Sequence, residues 1–311
     1  MLPSPDAQFK STSVIHLSLR DRDLLLLLER TPATSPLIVK ASATFAGEPF
    51  RDERRARERL QGLTGEGLAR AWALAQPGGG VTKCYKLTPH GFAALYGAEI
   101  ALPPRAYFQD IPLSRLEHTL SLAEVIVHTF VAAHQHRVKV TKFHRENELT
   151  LTAGQFTHQP DCHVQLRSGG KTFNVLFELD RSTESVDSYS EQSIRQKILG
   201  YEAYQDLVWQ QWKSTGEQPP RPYFRVAFLT LSTERAYHIL TLARSLAQNP
   251  DRRLCYAATL DSYLASSDAV REPLFLDHHG GWQSLVNLHP TTVAIRTRVR
   301  LPLRVPTTPL L

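Results

Sequence analysis

The stretch KTFNVLFEL, residues 171–179, followed by Asp180, decides the fold of the larger part of the chain. Its apolar run is nearly unbroken, which predicts a strand covered on both faces at the centre of a sheet. It ends in two acids. Residues two apart on a strand face the same side, so Glu178 and Asp180 project together, about 7 Å apart at Cα. Upstream, Pro160 and Asp161 open a short strand over residues 162–166, and Ser168, Gly169 and Gly170 supply a hairpin turn. Pairing through that turn brings Asp161 close to Glu178. Three carboxylates at one sheet end repel one another unless a cation neutralises them. Oxygen ligands alone favour Mg2+ or Mn2+, and such an ion can activate water for phosphodiester hydrolysis.

Working outward, residues 116–133 (LEHTLSLAEVIVHTFVAA) have helical periodicity and residues 138–142 read as a strand. After the central strand come a polar stretch, a long helix over 188–212, a buried strand over 224–231, a helix over 234–247 and a strand over 254–259. Helix, three strands, helix, strand is the order of an α/β sandwich. Residues 147–151 receive no assignment, and a strand at 274–277 has no place in the order.

The N-terminal third has a different pattern. Ser18 caps a leucine-rich helix over 18–30, a shorter helix fits 35–45, and a third runs over 48–63 (EPFRDERRARERLQGL). Arg51, Arg55 and Arg59 recur every fourth residue on that helix, with Arg54 beside them. Strands over 68–74 and 83–87 flank the turn Gly78–Gly80. Three helices and a hairpin predict a winged helix-turn-helix, its third helix in the major groove of double-stranded DNA and its wing, with Lys83 and Lys86, over the backbone. The arginines equally suit a solvated face paired with Glu53 and Glu58.

The chain is α/β, or α+β taken whole: a flexible N-terminus (1–15), a winged helix-turn-helix (16–102), a linker around Pro103, Pro104 and Pro112 (103–115), an α/β domain (116–290) and a basic tail (291–311) carrying Arg296, Arg298, Arg300 and Arg304. At 311 residues and 42% hydrophobic, the chain can bury two cores. Its net charge of +6 invites a polyanion, although four of those cations lie in the tail. The longest aliphatic run, Leu24 to Leu28, is far short of a membrane span, and a signal-peptide core is missing, so a cytoplasmic protein is expected. Cys84, Cys162 and Cys255 show no zinc or disulfide spacing and read as reduced thiols. Phosphate-loop and dinucleotide fingerprints are absent. Asp277, His278 and His279 before two glycines read as a polar turn. Tyr201 and Tyr204 read as core residues rather than nucleophiles, there being no HxH motif beside them.

Pro160-Asp161 followed by Glu178-Leu179-Asp180 resembles the PD-(D/E)XK nuclease superfamily, with Asp180 standing where that motif has lysine. The resemblance implies catalytic roles for Asp161, Glu178 and Asp180, with Lys197 of SIRQKILGYEAY supplying the missing cation from the following helix. It also implies a metal site of Glu124, Asp161, Glu178 and Asp180. Singly, each has a plainer reading: a turn residue, a strand end paired with Arg181 or Arg195, a solvated lysine. The succession YKLTPHGFAAL, LEHTLSLAEVIV, PDCHVQL, FELDRSTES and RQKILGYEAY resembles the replication-relaxation family of plasmids and integrative elements. That resemblance implies a DNA-binding protein of mobile-element replication or maintenance, with two forms open. One is a Mg2+- or Mn2+-dependent endonuclease or nickase. The other is a non-catalytic transcriptional or replication regulator whose nuclease-like domain is degenerate and pairs with a second copy of the chain.

Overall fold

The computed structural model describes residues 17–75, 81–182, 184–188, 190, 193–215, 224–249 and 251–286. The expected N-terminal extension, the tip of the first hairpin with Gly78–Gly80, and the basic tail lie outside them. The chain divides into two compact units, the second made of the residues from Asp110 onward together with Arg30–Pro32.

In the first unit, Ser18 caps α1 (Leu19–Arg30) by accepting from the Asp21 amide at 3.2 Å. A two-residue strand β1 (Ala33–Thr34) precedes α2 (Ser35–Ala41), which Pro36 starts. The third helix, α3 (Glu53–Gly65), begins five residues later than the sequence pattern suggests. Asp52 is its cap, accepting from the Arg55 amide at 2.9 Å, and Pro49 stays in the connection. Strands β2 (Ala69–Ala75) and β3 (Val81–Leu87) pair antiparallel, Ala69 opposite Leu87, and β1 adds to the other side of β3. Thr88 then caps α4 (Pro89–Tyr96). Gly91 is required there, because a Cβ would stand 2.0 Å from the Leu68 carbonyl oxygen. Leu24, Leu25, Leu28, Ile38, Leu60 and Leu63 form the core between helices and sheet. Within the expected linker, residues 105–108 form a 3-10 turn whose Tyr107 is buried and donates to the Glu29 carbonyl.

The second unit is a mixed α/β layer structure. After α5 (Leu113–Gln135) come β4 (Lys139–His144), the small hairpin β5 (Leu151–Ala153) and β6 (Phe156–His158), then β7 (Cys162–Ser168) and β8 (Lys171–Asp180). Next are α6 (Ile194–Thr215), β9 (Phe224–Thr230), α7 (Thr233–Leu246), β10 (Cys255–Thr259), α8 (Leu260–Ala265), β11 (Phe275–Asp277) and β12 (Trp282–Gln283). The main sheet runs β12-β11-β10-β9-β8-β7-β4, with β8, β9 and β10 parallel and the other pairs antiparallel. Val175, Phe177 and Leu179 of β8 pack in one core with α5 and α8, while Leu176 packs in the other with α6 and α7. Cover on both faces is the reason β8 reads as an unbroken apolar run.

The unassigned segment around 147–151 leads into the β5–β6 hairpin, which lies on α6. The approach is close enough that a Cβ on Gly200 would meet the His158 ring at 2.0 Å. The strand at 274–277 takes its place as β11 beside β10. Asp277 to Gly281 form the polar turn expected of them: the Asp277 carboxylate accepts from the His279 and Gly281 amides, and Gly280 has φ 86°.

Candidate functional site

The β7–β8 hairpin sets Cys162 opposite Phe177. One residue earlier, the Asp161 amide donates to the Phe177 carbonyl at 3.1 Å, so Asp161 stands beside the carboxyl end of β8. Both of its oxygens are engaged. One accepts from the Leu179 amide at 2.6 Å and the other is 3.2 Å from His118 Nε2 on α5. The Asp161 bond raises the His118 pKa, burial opposing it.

Glu178 is the centre of this cluster. It is 2% exposed, and its carboxylate accepts from Lys197 Nζ at 2.9 Å and from the Tyr201 hydroxyl. Lys197 and Tyr201 are one turn apart on α6 and reach the same carboxylate for that reason. Lys197 Nζ also donates to Glu184 at 2.8 Å. Burial pushes the Glu178 carboxyl up to about 7, with Lys197 and Tyr201 acting against the rise and Asp161 adding to it. Burial works against the Lys197 ammonium too, but Glu178, Glu184 and Asp161 outweigh it and hold its pKa above the usual lysine value. Burial also keeps the Tyr201 hydroxyl protonated, as a donor.

Asp180 lies on the same strand face but belongs to another pair. Arg235 of α7 grips it through Nε at 2.6 Å and a terminal nitrogen at 2.9 Å, and the same guanidinium reaches the Glu184 carbonyl. The Asp180 side chain is 1% exposed. Glu124 is six residues beyond His118 on α5 and exposed, so it lies on a different face of that helix.

Of the residues proposed from the sequence, Asp161, Glu178 and Lys197 come together, while Asp180 and Glu124 do not join them. Among the described residues no three His, Cys, Asp or Glu side chains form a group able to hold a metal ion. Every oxygen of Asp161, Glu178 and Asp180 already accepts from a protein donor, and a lysine ammonium stands between Glu178 and Glu184. A divalent cation here would compete with these donors for the carboxylate oxygens, and with the Lys197 ammonium for the place between Glu178 and Glu184. Lys197 supplies the positive charge instead. Sequence reasoning missed His118, Glu184 and Arg235, and it placed Tyr201 in the core, where it is buried, without its bond to Glu178; the four-residue spacing of Lys197 and Tyr201 was the one available signal.

In the first unit the proposed nucleic-acid residues separate into two groups. Arg59 is bound through two nitrogens to Asp21 of α1, which is 3% exposed. Burial opposes the Asp21 charge, but Arg59 and Ser18 outweigh it and lower its pKa. Arg59 therefore ties α3 to α1. Arg51, Arg54 and Arg55 are exposed, with Arg54 and Arg55 each near Glu58 in solvent-facing pairs of small energetic consequence. Lys83 is exposed on β3. Lys86 donates to the Gln109 carbonyl at 2.9 Å and lies near the Tyr107 ring, 5.9 Å from its centroid.

The family model described as replication-relaxation matches residues 24–219, from within α1 through α6, and so takes in most of the first unit, the second as far as α6, and the whole Asp161–Glu178–Lys197 cluster. The chain belongs to the replication-relaxation family. No curated protein matches this member. Among solved structures, the restriction endonuclease FokI superposes on 79% of the replication-relaxation chain at 9% identity with a TM-score of 0.28. The chain spans 43% of FokI's length, and the superposition is too loose to define a shared fold. Among the described residues no helix is long and apolar enough to cross a membrane.

Proposed function

We propose that this protein is a cytoplasmic duplex-DNA-binding regulator acting in the replication or maintenance of a plasmid or integrative element. The first unit is read as a winged helix-turn-helix, with α3 entering the major groove and the β2–β3 hairpin as the wing. Support comes from the element order and from Arg51, Arg54, Arg55 and Lys83, which are exposed. The second unit is read as a PD-(D/E)XK-type domain that has lost its metal centre and serves as a scaffold or as a contact with a second copy.

The observation that carries this reading is Lys197 Nζ seated 2.9 Å from Glu178, with the oxygens of all three sheet-end carboxylates already bonded within the protein. Fluorescence anisotropy with labelled duplexes tests it. Binding that weakens steeply with salt is expected, and equal binding by Glu178→Gln; no association with any duplex at low salt would sink it.

The meeting of Asp161, Glu178 and Lys197 at the carboxyl ends of parallel strands favours a second reading, a metal-dependent endonuclease, since α/β sheets place reactive groups at that edge. It requires Lys197 to leave Glu178 when a cation arrives. Added Mn2+ should then raise the melting temperature of the wild type and not that of Glu178→Gln.

A further inference from the structure

A cleft of about 490 Å3 opens in the first unit where α1 meets the start of α3. Its lining includes Arg20, Phe50, Arg51, Arg55, Glu58 and Arg59. Two of the four guanidinium groups are fixed in place. Arg20 donates from Nε to the Glu48 carbonyl at 2.8 Å and lies over the Phe50 ring, 5.3 Å from its centroid. Arg59 is clamped by the buried Asp21. The other two remain available. Arg51 makes no hydrogen bond or ion pair among the described residues, and Arg55 has only a 3.4 Å side-chain contact with Glu58, which Arg54 shares.

Four arginines thus line one concavity whose carboxylates are Glu48, 3.6 Å from Arg20 and 86% exposed, and Glu58. Planar, forked donors converging from separate elements match the oxygens of a phosphate better than any neutral ligand. We infer that this cleft binds one backbone phosphate of a DNA duplex, with Arg20, Arg51 and Arg55 in contact and Arg59 a positioning residue held by Asp21. The inference rests on the DNA-binding reading of this unit and adds Arg20, which lies on α1 rather than on the helix assigned to the groove. A phosphate contact at the start of α3 sets the register of that helix on the duplex and carries no base preference.

The test is the dependence of duplex affinity on KCl concentration, measured by anisotropy for two duplexes of unrelated sequence. The proteins are wild type, Arg20→Ala, Arg51→Ala and, as a charge-matched control outside the cleft, Arg244→Ala. Losing one phosphate contact should lower the slope of log affinity against log salt by about 1. Arg51→Ala and Arg20→Ala should each show that change with both duplexes, and Arg244→Ala should keep the wild-type slope. Arg51 is exposed, so its variant tests the contact without disturbing the core. Duplex binding with unchanged slopes in both cleft variants overturns the inference and leaves the proposed function standing. Displacement of wild-type protein by inorganic phosphate with those slopes unchanged would assign the cleft to a free anion and overturn it as well. A wild type that binds no duplex removes the proposed function itself.

Discussion

Lys197 and Glu178, nineteen residues apart in the chain, form a part-buried ion pair with Nζ 2.9 Å from Oε2. The next helix in the chain, α6, delivers the lysine, and Tyr201, one turn on, occupies the other oxygen. The Glu178 carboxylate is thereby neutralised from within the protein.

Replacing Lys197 with Met leaves Glu178 buried beside Asp161 without its cation. The folded-state pKa of Glu178, about 7, lies above its ordinary 4.5, so the folded protein holds that proton more tightly. Its contribution to stability is complete below about pH 4.5 and lost as pH rises through 7. Without Lys197 the pKa rises further, so the deficit should be larger at pH 8 than at pH 5, by up to about 1.4 kcal/mol for the one pH unit above 7. Urea unfolding at the two pH values reads this directly. Equal losses at both would mean that the pair is not what neutralises Glu178.

Asp180→Ala should destabilise the second unit by about 3–5 kcal/mol, because it strands the Arg235 guanidinium in a largely buried position. If Asp180 were instead a metal ligand, its loss would show mainly as a lost response to Mg2+. Urea titrations with and without Mg2+ separate the cases, and a variant as stable as wild type contradicts the structural role.

His118 should titrate above its ordinary 6.5, since Asp161 stabilises the imidazolium. A raised folded-state pKa places that stabilisation below pH 6.5 and removes it as pH climbs through the folded value. Proton NMR of the imidazole should show the pKa falling in Asp161→Asn. No change between the two proteins would show that the 3.2 Å contact is not formed in solution.

Gly91→Ala tests the packing of the first unit. The added Cβ would collide with the backbone oxygen of Leu68, which cannot swing aside as a side chain can. A loss of at least about 1–3 kcal/mol is expected, together with weakened duplex binding. A variant that melts with the wild type would show that α4 does not approach the β2 start so closely.

The central strand and the helix after it were legible because their signals are local: an apolar run ending in acids, then a periodic stretch carrying Lys197. The pairing of Asp161 with the end of β8 followed from a glycine turn of known length. Other features depend on contacts that no periodicity reveals. Strand β1 is two residues long and exists only because β3 offers an edge. The β5–β6 hairpin is held against α6, where Gly200 makes room for His158. Arg235 is 55 residues from the Asp180 it grips, and Asp21 is 38 from Arg59, so Asp180 and Arg59 read from the sequence as available for metal and DNA chemistry when their partners are unknown.

In the proposed function the protein binds duplex DNA without cutting it, and its sheet-end carboxylates are held by Lys197, Arg235 and His118 rather than by a metal. Incubation of supercoiled plasmid with wild type and Glu178→Gln, with and without Mg2+ or Mn2+, tests it most directly. Both proteins should retard the plasmid on a gel and leave it supercoiled under every condition. Metal-dependent nicking by the wild type that disappears in Glu178→Gln would contradict it and establish the endonuclease.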